Sequence, residues 1–393
     1  MIRINKKKDL ESRHWEWYEY YLENKNIPLE CNLPNGKKNV LSFIEHVLGW
    51  DKSILKEIVL AKPEMLHFLA ERNNIFWEQY KNASEELVKI KKKGWPEARE
   101  WRVNQVLKEY FGYSDFEKGR IQNDDVDKDD DENKIKWSAY EFTRRMNLDV
   151  CPYCGRQYIF TISDGDGRPQ IDHYYPQADY PFLSCSIYNF IPSCPQCNLQ
   201  KGEVLNKYAT KEEQSKHKEY IYDSDDRAFV LYPYEDAFEC RDADGNMEKR
   251  AWFSALYGNI NDDEPMEDFV CVKIKMKDSL SQEMERKISN SIKAFHLNEL
   301  YSCQQIEIKD LLSRYRHYCK PRIDEITKLI LRAQLDEGYN GNYNSIIIRT
   351  YTRRIKNEVL GLPVNVGDKQ YPLRKFKEDI IAQLDATYKK MKK

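Results

Sequence analysis

Two short motifs, "CPYC" at 151–154 and "CPQC" at 194–197, frame a segment that carries "IDH" at 171–173. Each motif sets two thiolates about one tight turn apart. Four such sulfurs complete a tetrahedron around zinc at ~2.3 Å each. One Cys-x-x-Cys would say little, but two framing a single segment are specific. A redox dithiol is the poorer reading, because neither motif sits in a thioredoxin-like strand–helix setting. Cys151, Cys154, Cys194 and Cys197 are therefore expected to hold a structural Zn2+. The 39 residues between the pairs exceed a short finger, so something is built between the two halves of the clamp.

Inside the clamp, "YIFTISDGDGRPQIDHYYP" reads as strand, Asp-Gly turn, strand, the second strand ending at Asp172 and His173. Asp164 and Asp166 lack the spacing of an EF-hand loop, so they read as turn residues. "NFIPSC" reads as a short second element of the core, and "PQCNLQKGEVLNKY" as a helix with Pro195 in its first turn. Two strands and a helix pinned by zinc would bring Asp172 and His173 opposite Asn198. A carboxylate and an amide oxygen are hard ligands suited to Mg2+ or Mn2+. A histidine of ordinary pKa, near ~6.5, can take a proton from water. Lys201, one turn beyond Cys197, is expected to bring positive charge near a phosphate. The chemistry such a set supports is phosphodiester hydrolysis: the base makes hydroxide, and the metal stabilises the charged phosphorane and the leaving oxygen.

The ordered run "CPYC…IDH…YN…CPQCNLQKG" resembles the HNH, or ββα-metal, nuclease motif in its zinc-stapled form, over about 50 residues. The resemblance implies His173 as general base and Asp172 with Asn198 as ligands of a catalytic Mg2+ or Mn2+. It implies Asn189 as the middle asparagine, which holds the loop and the base by hydrogen bonds without touching the metal. The last letter of the motif is Asn198 and not histidine, an exchange that keeps an oxygen ligand. The flanks "MNLDVCPYCGRQYI", "DYPFLSCSIYNFIPSCPQCN" and "SIKAFHLNELY" resemble large prokaryotic HNH proteins that act beside an ATPase, as in Septu-type anti-phage defence. That resemblance implies foreign DNA as target and an ATPase subunit as partner. Two rivals stand beside this reading: a zinc-ribbon module that binds nucleic acid or protein without cutting, and an RNase or toxin on the same motif.

The elements that must position these residues are mostly helical. Residues 1–120 read as a helical region, with "NVLSFIEHVLGW", a long run over 51–93, and "WPEAREWRVNQVLKEYFGY" with Pro96 near its first turn. An acidic loop or linker follows at 121–136, poor in apolar residues. The module itself is expected at 137–205, opened by a helix over "KWSAYEFTRRMNLDV". At 206–278, "FVLYPYE", "AWFSALYG" and "DFVCVKIKMK" alternate and predict a small antiparallel sheet, with "DADGN" as a turn. Helices return over 279–393, with Asn298 as an expected N-cap and Pro321 expected to interrupt the longest of them. The fold class expected is α+β, predominantly helical, with a small zinc-stapled ββα-metal module between an N-terminal helical region and a C-terminal region of sheet plus helices.

With 393 residues, 41% hydrophobic and 33% charged, the chain has the balance of a soluble globular protein. No apolar run reaches the ~18–20 residues of a membrane span, and no secretory leader is read, so the expected location is cytoplasmic. The six cysteines outside the clamp motifs read as reduced, buried thiols. Net charge is −2, yet residues 273–393 carry 25 Lys+Arg against 15 Asp+Glu, leaving the remainder near −12. A basic region within a neutral total suits contact with a polyanion, although solvated basic faces are common. His14, His46, His67, His217, His296 and His317 read as surface or core-edge residues, and the N-terminal tryptophans as core anchors.

Overall fold

A computed structural model describes residues 1–25, 30–33, 36–39, 54–70, 90–92, 95–97, 107–119, 137–162, 167–177, 180–206, 230–241, 245–257, 270–318, 320–334, 345–363 and 371–391. The fold is mixed α+β: helices dominate, and each strand among the described residues belongs to a two-stranded sheet. Among those residues no helix is long and apolar enough to cross a membrane. The acidic run at 123–134, His46 and His217 lie outside them. The chain forms two compact units. One comprises Met1–Tyr153, Gln157–Arg227 and Leu231–Ala237, the other Cys154–Arg156, Ala228–Val230 and Phe238–Lys393.

The first unit grows around the helix Lys8–Asn24. Leu10, His14, Trp17, Tyr18 and Tyr21 are buried and recur three and four apart, which puts them on one stripe. Trp17 packs on Tyr21 at 5.4 Å and on Phe116 at 5.2 Å between ring centroids. Phe116 in turn stacks on Phe190 at 5.4 Å. Phe190 opens the strand Phe190–Ser193, which pairs antiparallel with Gln170–His173 in the register His173↔Phe190 and Asp172↔Ile191. The aromatic core thus abuts the strand pair that carries "IDH". The helix Ala139–Met146 leads into this pair, as its sequence predicts.

Three sequence expectations give way here. Helical periodicity over 51–93 is realised at Ile54–Val59 and at 63–70, whereas Ile90–Lys92 and Trp95–Glu97 form a short hairpin. Gly94 and Pro96 explain the change: glycine is a poor helix residue, and proline lacks the N–H a helix interior needs. The segment "YIFTI" does not pair along its length with "RPQIDH" but makes single bridges, Val150↔Tyr158 and Ile162↔Gly167. And in "FVLYPYE" the described residues, 230–235, form no strand and end in a turn, with the N–H groups of Glu235 and Asp236 both donating to the Tyr232 carbonyl. Its alternation has another use: the hydroxyls of Tyr232 and Tyr234 donate to the carbonyls of Tyr188 (2.6 Å) and Phe190 (3.0 Å).

The second unit centres on Ala251–Tyr257 paired antiparallel with Val270–Met276, seven residues against seven. A two-stranded sheet has two open edges, and an unpaired N–H there must find a partner. Helix side chains supply one on each side. Asp379 and Gln383, one turn apart on Arg374–Met391, accept from the N–H groups of Phe253 and Ala255, each at 2.9 Å. On the other edge Asn298, Ser302 and Gln305 accept from Ile274 (2.9 Å), Val272 (2.9 Å) and Val270 (3.1 Å). The match is geometric: four helical residues rise about 6 Å and two strand residues about 6.8 Å. Asn298, expected as an N-cap, therefore serves as an edge partner inside the helix Leu297–Ser302. The side-chain N-cap found nearby is Ser281, whose Oγ accepts from the Met284 N–H at 3.2 Å. "DADGN" does lie between paired strands, Glu239–Arg241 and Met247–Lys249. Pro321 falls in the first turn of Lys320–Gln334, after Gln305–His317 has ended.

Candidate functional site

The four cysteines of the two motifs come together. Their sulfurs all lie within 4.8 Å of one another, and all four residues are buried. Tetrahedral zinc with ~2.3 Å bonds needs sulfurs roughly 3.8 Å apart, so the cluster fits a structural zinc. Both knuckles are shaped for thiolates. The Cys197 N–H points at Cys194 Sγ (3.5 Å) and the Arg156 N–H at Cys154 Sγ (3.4 Å). Gly155 takes φ +63°, the left-handed turn that lets the chain fold back behind Cys154. Cys194 precedes the first residue of the helix Pro195–Asn206, where the positive end of the helix dipole favours an anionic sulfur.

Asp172 and His173 are consecutive on a strand, so their side chains leave it on opposite faces. Asp172 is 7% exposed. Its Oδ2 accepts from the Tyr153 hydroxyl at 2.5 Å and from Lys201 Nζ at 2.7 Å. Burial pushes the Asp172 carboxyl up and pulls the Lys201 ammonium down, and each shift is opposed by the partner's charge. Lys201 is 3% exposed, and its other contacts are the carbonyls of His173 (2.6 Å) and Tyr174 (3.1 Å). An ammonium has three donors, and these three acceptors engage them all. The sequence reading sets Lys201 beside a phosphate; in the structure its charge is directed inward, onto the carboxylate and the backbone of the same strand.

His173, 9% exposed, sends Nε2 to the Ser184 carbonyl at 2.9 Å. A carbonyl only accepts, so Nε2 carries the proton and Nδ1 keeps the basic lone pair. The Gln177 side-chain amide nitrogen lies beside the ring as well, 2.8 Å from Nε2 and 3.3 Å from Nδ1. The ring stands edge-on to Tyr113 at 4.4 Å and to Phe190 at 5.4 Å. Burial among these groups lowers its pKa to about 3, against the hydrogen bond to Ser184. The buried imidazole is thus neutral across the physiological range, and the ordinary pKa near 6.5 expected of it from the sequence is not kept.

Asn189 is fully buried and bonds the loop that links the paired strands. Its Oδ1 accepts from the Tyr175 N–H (2.7 Å), and its Nδ2 donates to the carbonyls of Tyr175 (3.0 Å) and Leu183 (2.9 Å). Leu183 and Ser184 are neighbours, so Asn189 also fixes the carbonyl that orients His173. Asn198 sits on the helix three residues before Lys201, and its Nδ2 donates to Gln170 Oε1 at 2.8 Å, which leaves its oxygen as the end that can accept. Gln170 and Asp172 share a strand face. Asp172, Asn198 and Lys201 are therefore gathered where that face meets the helix, with His173 on the far side of the strand.

Sequence reasoning missed Tyr153 and Gln177. Tyr153 carried a signal: it is a ring with a polar tip set between two clamp cysteines, and such a hydroxyl needs a partner when buried. The Ser184 carbonyl is a backbone atom and left no mark in residue types.

No family model matches the chain, and no solved structure matches it. Over 76 residues it is 35% identical to Protein ea31 of Escherichia phage lambda, a stretch that is 19% of this chain and 23% of that protein. The chain thus spans less than a quarter of the length of that relative.

Proposed function

We propose that the chain is a divalent-metal-dependent HNH endonuclease that hydrolyses DNA phosphodiester bonds. The supporting observation is the joint framing by one four-cysteine cluster of a strand carrying Asp172 and His173 and a helix carrying Asn198. The carboxylate of Asp172 and the amide oxygen of Asn198 are hard donors, of the type that holds Mg2+ or Mn2+. When bound, such an ion supplies charge stabilisation to a pentacovalent phosphate and its leaving oxygen. His173 acts through Nδ1, taking a proton from the attacking water while the Nε2–H bond to Ser184 keeps the ring in place. Asn189 holds the loop that carries Ser184, and Lys201 orients Asp172. The cysteine-bound zinc has a structural part alone.

Incubation of the purified protein with duplex DNA, single strands and RNA in Mg2+ or Mn2+ tests the reading. His173→Ala should retain zinc and lose at least about 100-fold in cutting rate, the scale of a general base. Degradation of RNA alone would sink the DNA assignment in favour of an RNase or toxin.

A second reading, a zinc-held module that binds nucleic acid or protein without cutting, draws on one observation. Asp172 Oδ2 is already occupied by Lys201 and Tyr153. Equal substrate binding with no cutting by wild type or His173→Ala would select it. The resemblance of the flanks to HNH proteins of anti-phage defence supports an ATPase subunit as partner and a cytoplasmic setting. Co-purification from the native host tests both.

A further inference from the structure

Both donors to Asp172 Oδ2 come from the flanks of the cysteine clamp. Tyr153 lies between Cys151 and Cys154, is 0% exposed, and donates at 2.5 Å. Lys201 lies four residues after Cys197, one helical turn further along Pro195–Asn206, and donates at 2.7 Å. The clamp cysteines fix the backbone on either side of Tyr153. A tyrosine so held has little freedom to follow a carboxylate that moves, so the carboxylate must sit where the hydroxyl is. The converse also holds: release of the sulfurs releases the hydroxyl. Lys201 is anchored by the carbonyls of His173 and Tyr174 as well, and the Tyr153 hydroxyl donates to Asp172.

We infer that Tyr153 is a positioning residue that ties the carboxylate of Asp172 to the zinc clamp, so that affinity for a hard divalent ion at Asp172 depends on whether the cysteine site is filled. The inference rests on the reading of Asp172 as a divalent-ion ligand. It assigns the two metal sites a direction of dependence: the sulfur site sets the oxygen site. Partners behind a metal ligand commonly change affinity by about 10–100-fold when removed.

The test uses the full chain and Mn2+ as probe, with bound and unbound ion separated by paramagnetic resonance. Wild type, Asp172→Ala and Tyr153→Phe are compared, each first loaded with Co2+ at the cysteines so that the thiolate–cobalt absorption reports an intact clamp. The expected result for Tyr153→Phe is a wild-type cobalt spectrum with Mn2+ binding weakened about 10-fold or more. Wild-type Mn2+ affinity in Tyr153→Phe would overturn the inference. Equal Mn2+ binding by wild type and Asp172→Ala would show that Asp172 is not the ligand, and the inference would fall together with the reading beneath it. Should Tyr153→Phe form no cobalt site, wild type decides: a mercurial reagent is titrated into the zinc protein with Mn2+ bound. Release of Mn2+ in step with zinc supports the link, and retention of Mn2+ after zinc has left refutes it.

Discussion

Asn189 and Tyr175 are joined twice: the Tyr175 N–H donates to Asn189 Oδ1 at 2.7 Å, and Asn189 Nδ2 donates to the Tyr175 carbonyl at 3.0 Å. One amide side chain thus stands in for a neighbouring strand just where the strand Gln170–His173 runs out. Replacing it with alanine strands the half-buried Tyr175 N–H and the buried carbonyl of Leu183 as well. Asn189→Ala should cost about 3 kcal/mol in urea unfolding, with the loop at 174–184 the first to gain hydrogen exchange. A loss below about 0.5 kcal/mol would mean that the loop stands without it.

Cys194 contributes a sulfur to the cluster and accepts from the Cys197 N–H at the start of the site helix. Cys194→Ser should bind less than one zinc per chain by elemental analysis, and chelation of wild type should lower its melting temperature. Structural zinc contributes folding free energy directly, so Cys194→Ser and wild type should melt alike once metal-free. Full zinc content in Cys194→Ser would remove that cysteine from the site.

Lys201 and Asp172 form an ion pair whose side chains are 3% and 9% exposed. Removing one partner leaves the other charge buried with too few contacts. Lys201→Met should therefore destabilise by about 3–5 kcal/mol. Asp172→Asn together with Lys201→Met should cost less than the two single losses added, because the second change removes the charge that the first exposed. Strict additivity would show that the two groups are not coupled.

His14 is fully buried, with Nε2 on the Cys185 carbonyl (2.7 Å) and Nδ1 accepting from Trp137 Nε1 (3.0 Å). Burial lowers its pKa from 6.5 to about 4, against the bond to Cys185. The unfolded chain then binds a proton more readily than the folded one between those values. The stability His14 contributes is full above pH 6.5 and is lost as pH falls toward 4. His14→Gln should flatten the decline of the unfolding midpoint over that window, and an unchanged slope would assign the acid sensitivity to other groups.

The clamp was legible because zinc demands thiolates at fixed spacing, and the demand shows in residue types alone. The same is true of the helix at Ala139–Met146 and of the pair Ala251–Tyr257 with Val270–Met276, whose patterns have one dominant period. "FVLYPYE" misled because alternating burial has two causes. Tyr232 and Tyr234 are buried as hydrogen-bonding anchors of a turn, not as one face of a strand. Asn298 misled because a polar residue at a helix start has more than one backbone to serve, and Ile274 is distant in sequence. The inward course of Lys201 was hidden for a related reason: spacing sets where a side chain begins, while the competing acceptors decide where it ends.

The sheet of the second unit carries a consequence for recruitment. Many proteins capture an extended peptide by adding it as one more strand. Asp379 and Gln383 on one border, and Asn298, Ser302 and Gln305 on the other, hold the amide groups such a peptide would seek. A ligand arriving in extended form must displace helix side chains before it gains its first ladder bond. At these five positions the borders offer no open N–H for strand addition, and the same sealing covers the kind of edge on which chains otherwise pair.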